Sequence, residues 1–273
     1  ARRYRVFWEA LGSGVDVFKE ELEKLRASSE VLFSEELDLL EDFDSVLEEE
    51  LSEQLNRYKA VVDCLKEMKC EADSAHHNGA KIVVFVSNQK AESHLINALV
   101  EEFGEASVHH SNTERILTSD EREPIGDHFH IDSEAWILVC SRMAEEGQNL
   151  HFADSILHFD LPFSAGRVEQ RIGRLDRFGR TKGPVPQRVI LPSDADYSGW
   201  YAWYEVLAKS FQVFNQPISD VQFLLEEIEE NLLLYLYRLG PQGLRSKMEY
   251  VTDSLEKERE RLDNQHEIGR AHV

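Results

Sequence analysis

The sequence has few of the features that would place it quickly. Three cysteines occur in 273 residues, Cys64, Cys70 and Cys140, and none stands in C-x-x-C spacing. That excludes a disulfide framework and the usual zinc sites, and it predicts a reducing, cytoplasmic setting. No apolar run approaches the ~20 residues of a membrane span, and no apolar stretch near the start reads as a signal peptide. Basic residues are scarce, 30 against 52 acidic, for a net charge of −22. A uniformly basic nucleic-acid coat is thereby excluded, and any contact with nucleic acid has to be a local basic patch. The phosphate-binding pattern G-x-x-x-x-G-K-[ST] is absent, as is a D-E-x-H acidic box.

What is present is globular: 42% apolar and 10% aromatic residues, enough for a sizeable core. Residues 35–50 hold nine acidic groups and no basic one, which reads as a solvated helix face or linker. Apolar residues at helical spacing from Leu47 through Leu51, Leu55, Tyr58 and Val62 to Leu65 predict an amphipathic helix over about 45–73.

From residue 81 the pattern changes to short β-branched runs: 81–86, 106–110, 135–140, 155–160 and 188–191. Alternating with helical patterns, one of them at about 166–178, they predict a parallel α/β sheet with right-handed crossovers. Beyond Pro192 the chain turns helical, with Trp200, Trp203, Tyr204, Leu207, Phe211 and Phe214 as a core stripe and further helices over 218–239 and 244–264. The expected division is an acidic helical region (1–78), the sheet lobe (79–195) and a helical extension (196–267). The last six residues (268–273) match the translation of a sequencing adapter and are expected not to be protein-derived, with both ends of the chain cut.

The chemistry concentrates in 141–180. Between 165 and 188 lie seven basic residues and two acidic ones, a local excess in an acidic chain. At steps of four and three, Gln170, Arg174 and Arg177 are predicted to share one helix face, with Arg167 and Arg171 adding charge nearby. Guanidinium forks suit phosphate oxygens because they donate in pairs and hold their charge. Gly173 beside Arg174 leaves room for another backbone or a nucleotide. Before it, a strand ending at Cys140 leads into Ser141, Glu146, Gly147, Gln148 and Asn149, a loop of the kind that forms ligand sites at the carboxyl edge of a parallel sheet. His128, His130 and the other histidines lack ligand spacing, and no metal site is expected. Asp194 and Asp196 read as a loop before a helix cap.

These runs resemble the C-terminal RecA-like lobe of Swi/Snf-type superfamily-two helicases and translocases. Q-x-x-G-R-x-x-R at 170–177 is similar to motif VI of that family. Residues 141–150 are similar to motif V, with Glu146, Gly147, Asn149 and Leu150 kept and Glu145 where a glycine is usual. Residues 81–88 stand where motif IV belongs, and His110-Ser-Asn-Thr113 stands where the family has a D-G-S/T turn. F-D-L-P-F before the arginine run is similar to the RapA-like group.

The resemblance implies the C-terminal motor lobe of an ATP-dependent DNA translocase. Arg174 and Arg177 would be arginine fingers, with Gln170 orienting their helix or touching the nucleotide. Glu146, Gly147, Asn149 and Gly173 would lie at the nucleotide. Ser87, Asn88, Ser111 and Ser141 would touch the DNA backbone. ATP with Mg²⁺ is the implied cofactor, its metal ligands expected on a first lobe supplied in cis. This chain alone is expected to be inactive. Duplex DNA is the implied partner, together with RNA polymerase or a DNA-modification complex. A RecA-like scaffold without catalysis is the alternative, and a small-molecule α/β enzyme a more distant one.

Overall fold

A computed structural model describes residues 20, 23–24, 54–75, 79–110, 125–141, 149–177, 180 and 183–270. The expected start of the first helix, residues 45–53, lies outside them. Two compact units divide the chain. Of the described residues, one takes in those up to 160 and those of 173–190, and the other those of 161–172 and 191–270.

The first unit is a sheet of five strands. Helix α1 (Gln54–Ala75) leads to β1 (Ile82–Phe85), α2 (Gln89–Phe103), β2 (Val108–His110), α3 (Ile125–Ile131), β3 (Ile137–Cys140), β4 (Ser155–His158) and β5 (Gln187–Val189). The order is β2-β3-β1-β4-β5 and every pairing is parallel. The expected parallel α/β sheet is therefore present, each strand a little shorter than its apolar run. β1, β3 and β4 are buried along their whole length, which is why β1 and β3 read as continuous apolar runs without alternation. One face packs Val61, Leu65 and Met68 of α1 and Leu95 and Leu99 of α2 against Ile82, Val84, Ile137, Val139 and Leu157. Burying a side chain of this size contributes roughly 1.5–3 kcal/mol.

Strand order also locates a crevice. β1 and β4 are neighbours, yet the chain leaves β1 toward β2 on one side and leaves β4 toward β5 on the other. Connections that diverge in this way open a crevice at the carboxyl ends of the strands.

The second unit is helical. It holds α5 (Gly199–Glu205) continuing into a π-turn (Val206–Phe211), then α6 (Gln222–Leu239), α7 (Pro241–Arg245) and α8 (Met248–Arg270). Of the expected stripe, Trp203, Leu207 and Phe211 are fully buried, and Trp200, Tyr204 and Phe214 are partly buried. Phe163 stacks on Trp203 with centroids 4.1 Å apart, and the Trp203 indole donates to the Pro162 carbonyl at 3.0 Å. Helix α4 (Ala165–Leu175) begins in this unit and ends in the sheet unit. Among the described residues no helix is long and apolar enough to cross a membrane.

Candidate nucleotide and nucleic-acid site

A hydrogen-bonded side-chain pair bridges the segments that follow β1 and β4. Asp160, buried two residues beyond β4, accepts the Ser87 amide at 2.8 Å on one oxygen and the Ser87 hydroxyl at 2.6 Å on the other. The Ser87 hydroxyl expected to meet a DNA phosphate is thus directed at Asp160. Asn88 caps α2: its carbonyl accepts the Glu92 amide at 2.9 Å and its side-chain oxygen the Ala91 amide at 3.4 Å. An asparagine there satisfies amides that have no partner inside the helix. Ser141 follows β3 directly and is buried. Ser111, Glu146 and Gly147 lie outside the described residues.

Arg57 stands beside this edge. Its guanidinium lies 4.0 Å over the Phe159 ring and donates to the Phe159 carbonyl at 2.5 Å. Burial pushes its pKa down, and the Asp160 charge opposes that shift. The sequence reading missed Arg57, although it is the first basic residue after Arg26 in a long acidic stretch.

The loop and the arginine segment meet through the backbone. The Leu150 amide donates to the Arg174 carbonyl at 3.1 Å. Next to it, the Asn149 side-chain oxygen pairs with His151 Nδ1 at 2.9 Å. Arg180 then fastens the turn that follows: its guanidinium donates to the carbonyls of His151 (3.1 Å), Ala153 (2.6 Å) and Asp154 (3.1 Å), and its Nε to Gly183 (2.9 Å). Burial lowers the Arg180 pKa, with Asp154 and Asp176 pulling the other way. One planar donor gathers four carbonyls, which a lysine could not do with the same geometry.

Two expectations about the arginine helix need correction. The helix ends at Leu175, so Arg177 is not on a helical face with Gln170 and Arg174. The chain turns there because the Arg177 amide bonds to Leu175 O at 3.1 Å and the Arg180 amide to Arg177 O at 3.0 Å. The Arg177 side chain folds back, Nε to the Gly173 carbonyl at 3.2 Å, supplying a donor to the helix's terminal carbonyls. Arg171 is fully buried, so it adds nothing to the exposed cationic surface. Gln170 and Arg177 are exposed, and Arg174 is half-buried. Among the described residues a Cβ built on Gly173 would meet nothing within 4 Å, so their packing does not require glycine there.

Where α4 starts, buried Glu229 of α6 accepts the Ala165 amide at 2.7 Å. Glu169 accepts the amides of Ile218 (2.8 Å) and Ser219 (3.2 Å). Among the described residues no cluster of three or more His, Cys, Asp or Glu side chains could hold a metal ion.

Residues 56–179 match the family described as the helicase conserved C-terminal domain. The RNA polymerase-associated protein RapA of Vibrio cholerae is 29% identical over 192 residues, 70% of this chain and 19% of that protein. RapA of Yersinia pestis is 28% identical over 206 residues, 72% of this chain and 20% of its own length. RapA of Vibrio parahaemolyticus is 38% identical over a shorter 106 residues. The chain spans about a fifth of the length of the first two relatives. Among solved structures, the C-terminal part of the Fun30 ATPase domain aligns over 66% of this chain and 54% of its own at a TM-score of 0.45 and 20% identity. The Pyrococcus furiosus Hef helicase domain aligns over 70% and 38% at 0.44 and 20% identity.

Proposed function

We propose, from the premise that residues 56–179 are a helicase C-terminal lobe of the RapA-like, Swi/Snf-type kind, that this chain is the C-terminal motor lobe of an ATP-driven DNA translocase. The observation that carries the reading is the 3.1 Å bond from the Leu150 amide to the Arg174 carbonyl. It joins the loop ending at Asn149 to the arginine segment, so a change at one is felt at the other.

In this reading Arg174 and Arg177 donate to phosphate oxygens of ATP bound against a first lobe. Such a donor offsets charge that develops during phosphoryl transfer and is worth roughly 10³–10⁵ in rate. Arg177 has only to release the Gly173 carbonyl to extend. Gln170, one turn before Arg174 on α4, orients the segment, and the open space beside Gly173 admits the nucleotide. Glu146, Gly147 and Asn149 relay the nucleotide state to the nucleic acid. The described donors, guanidinium and amide groups, fit phosphate. Mg²⁺ would be held by the first lobe, and with ATP it supplies the phosphoryl chemistry.

Ser111 is the hydroxyl candidate for the DNA backbone, and Ser141, buried here, has to become exposed before it can touch it. Ser87 contributes mainly by fixing Asp160, and Asn88 by starting α2. Contacts of this kind position the protein on duplex DNA without reading sequence. RNA polymerase is the partner suggested by the RapA relatives, a DNA-modification complex the other.

The test is ATP turnover by the complete protein with and without duplex DNA, beside this chain alone. DNA-stimulated turnover by the complete protein and none by the chain is expected. A complete protein that binds neither ATP nor DNA would favour the scaffold reading.

A further inference from the structure

Helix α6 has two opposite faces. Leu225, Ile228, Glu229, Leu232 and Leu233 are buried within the helical unit. On the other side Phe223, Glu227, Glu230, Leu234 and Tyr237 are all exposed. Phe223 is 62% exposed, Leu234 39% and Tyr237 63%, high values for large apolar side chains. Their spacing is four, three, four and three residues, the repeat that keeps one seam of a helix facing a partner helix. At ~1.5 Å per residue the seam runs about 20 Å along the axis.

Charge selects the partner. The middle of the seam is acidic, with Glu227 and Glu230 between the apolar ends and exposed Glu226 on the flank. Nucleic acid and an anionic lipid surface are both repelled by such a strip. A second copy is disfavoured too. Parallel pairing sets each glutamate against itself, and antiparallel pairing about the centre of the seam sets Glu230 against Glu230. Like charges brought together in an interface carry a cost of several kcal/mol.

We propose that the exposed face of α6 docks an amphipathic helix of another protein whose apolar seam is interrupted by two basic residues. The complementary pattern is an apolar residue, basic residues four and seven positions later, and apolar residues eleven and fourteen positions later. Apolar ends supply contact area, and the two ion pairs fix register and reject acidic helices. Arg238 flanks the C-terminal end of the seam and favours an acidic or neutral residue opposite it. The proposal does not depend on ATP hydrolysis.

The experiment uses a fluorescein-labelled 25-residue helical peptide with leucine and lysine at those positions, and a twin with glutamate in place of lysine. Saturable one-to-one binding of the lysine peptide by this chain is expected, with at least tenfold weaker binding of the twin. Substituting Leu234→Ser and Tyr237→Ser together should weaken the lysine peptide at least tenfold. The Glu227→Lys, Glu230→Lys variant should exchange the preference, losing the lysine peptide and gaining its twin. All four positions are exposed, and unchanged circular dichroism checks the fold. Equal binding of both peptides, binding of neither, or an unchanged preference in the charge-swapped variant overturns the proposal. So does self-association of the chain through this face. Binding by this chain but not by the complete protein also overturns it, because the occupant is then the rest of the same chain.

Discussion

The carboxylate of Glu229 in α6 accepts a hydrogen bond from the Ala165 amide at 2.7 Å, and both groups are buried. Ala165 opens the helix that carries Gln170 and Arg174, so a side chain some sixty residues downstream caps that helix. A carboxylate at a helix N-terminus satisfies a free amide and matches the dipole. Removing the acceptor with Glu229→Ala should cost about 1–3 kcal/mol, because a buried donor is left without it. Glu229→Gln retains an acceptor and should cost less. Urea unfolding of this chain and the two variants measures the difference.

Gly173 separates packing from function. Among the described residues, nothing beyond its own helix backbone and chain neighbours approaches within 4 Å of an added Cβ, and alanine is the better helix former by roughly 1 kcal/mol. Gly173→Ala should therefore leave stability unchanged or raise it by up to about 1 kcal/mol. In the complete protein the same substitution should weaken ATP binding. A loss of stability with normal ATP affinity would reassign the glycine to a structural role.

Arg180 holds the carbonyls of His151, Ala153 and Asp154 after the Asn149 loop. Arg180→Ala should cost about 1–3 kcal/mol by the loss of charge-assisted bonds. It should also speed amide exchange across 149–154 more than elsewhere in the sheet unit. Arg180→Lys should restore only part of the protection, since an ammonium cannot span the same carbonyls. Hydrogen exchange followed by mass spectrometry reads both outcomes.

Acid should act partly through Asp132. The amide of Glu134, then that of Ala135, hold its carboxyl below the ordinary value of 3.8, and His109 adds to this. A depressed pKa means that the stabilising contribution is present above the ordinary value. It is lost as the pH falls through the lowered one. Thermal melts between pH 6 and 2.5 should show a smaller acid-induced fall in Asp132→Asn, which keeps the amide acceptor and loses the titration.

The parallel sheet was legible because its central strands are buried on both faces, and burial of that kind writes continuous apolar runs into the sequence. The arginine segment was legible because seven basic residues stand out in an acidic chain. Its local geometry was not. The helix stops at Leu175 through backbone bonds around Arg177 and Arg180, and local spacing cannot foresee a guanidinium spent on carbonyls of a distant loop. Arg171 illustrates the same limit, since helical spacing alone does not separate an exposed arginine from a buried one. Ser87, Asn88 and Glu229 acquire their roles from partners distant in sequence or from the start of a helix. Ser111, Glu146 and Gly147 fall outside the described residues and stay as read from the sequence.

The central claim is that the arginine segment acts on ATP. The most direct test is steady-state ATP turnover by the complete protein carrying Arg177→Ala, with Arg174→Ala alongside and ATP binding measured separately. The account predicts that turnover falls by roughly 10³-fold or more while ATP still binds. Turnover unchanged in both variants would contradict it.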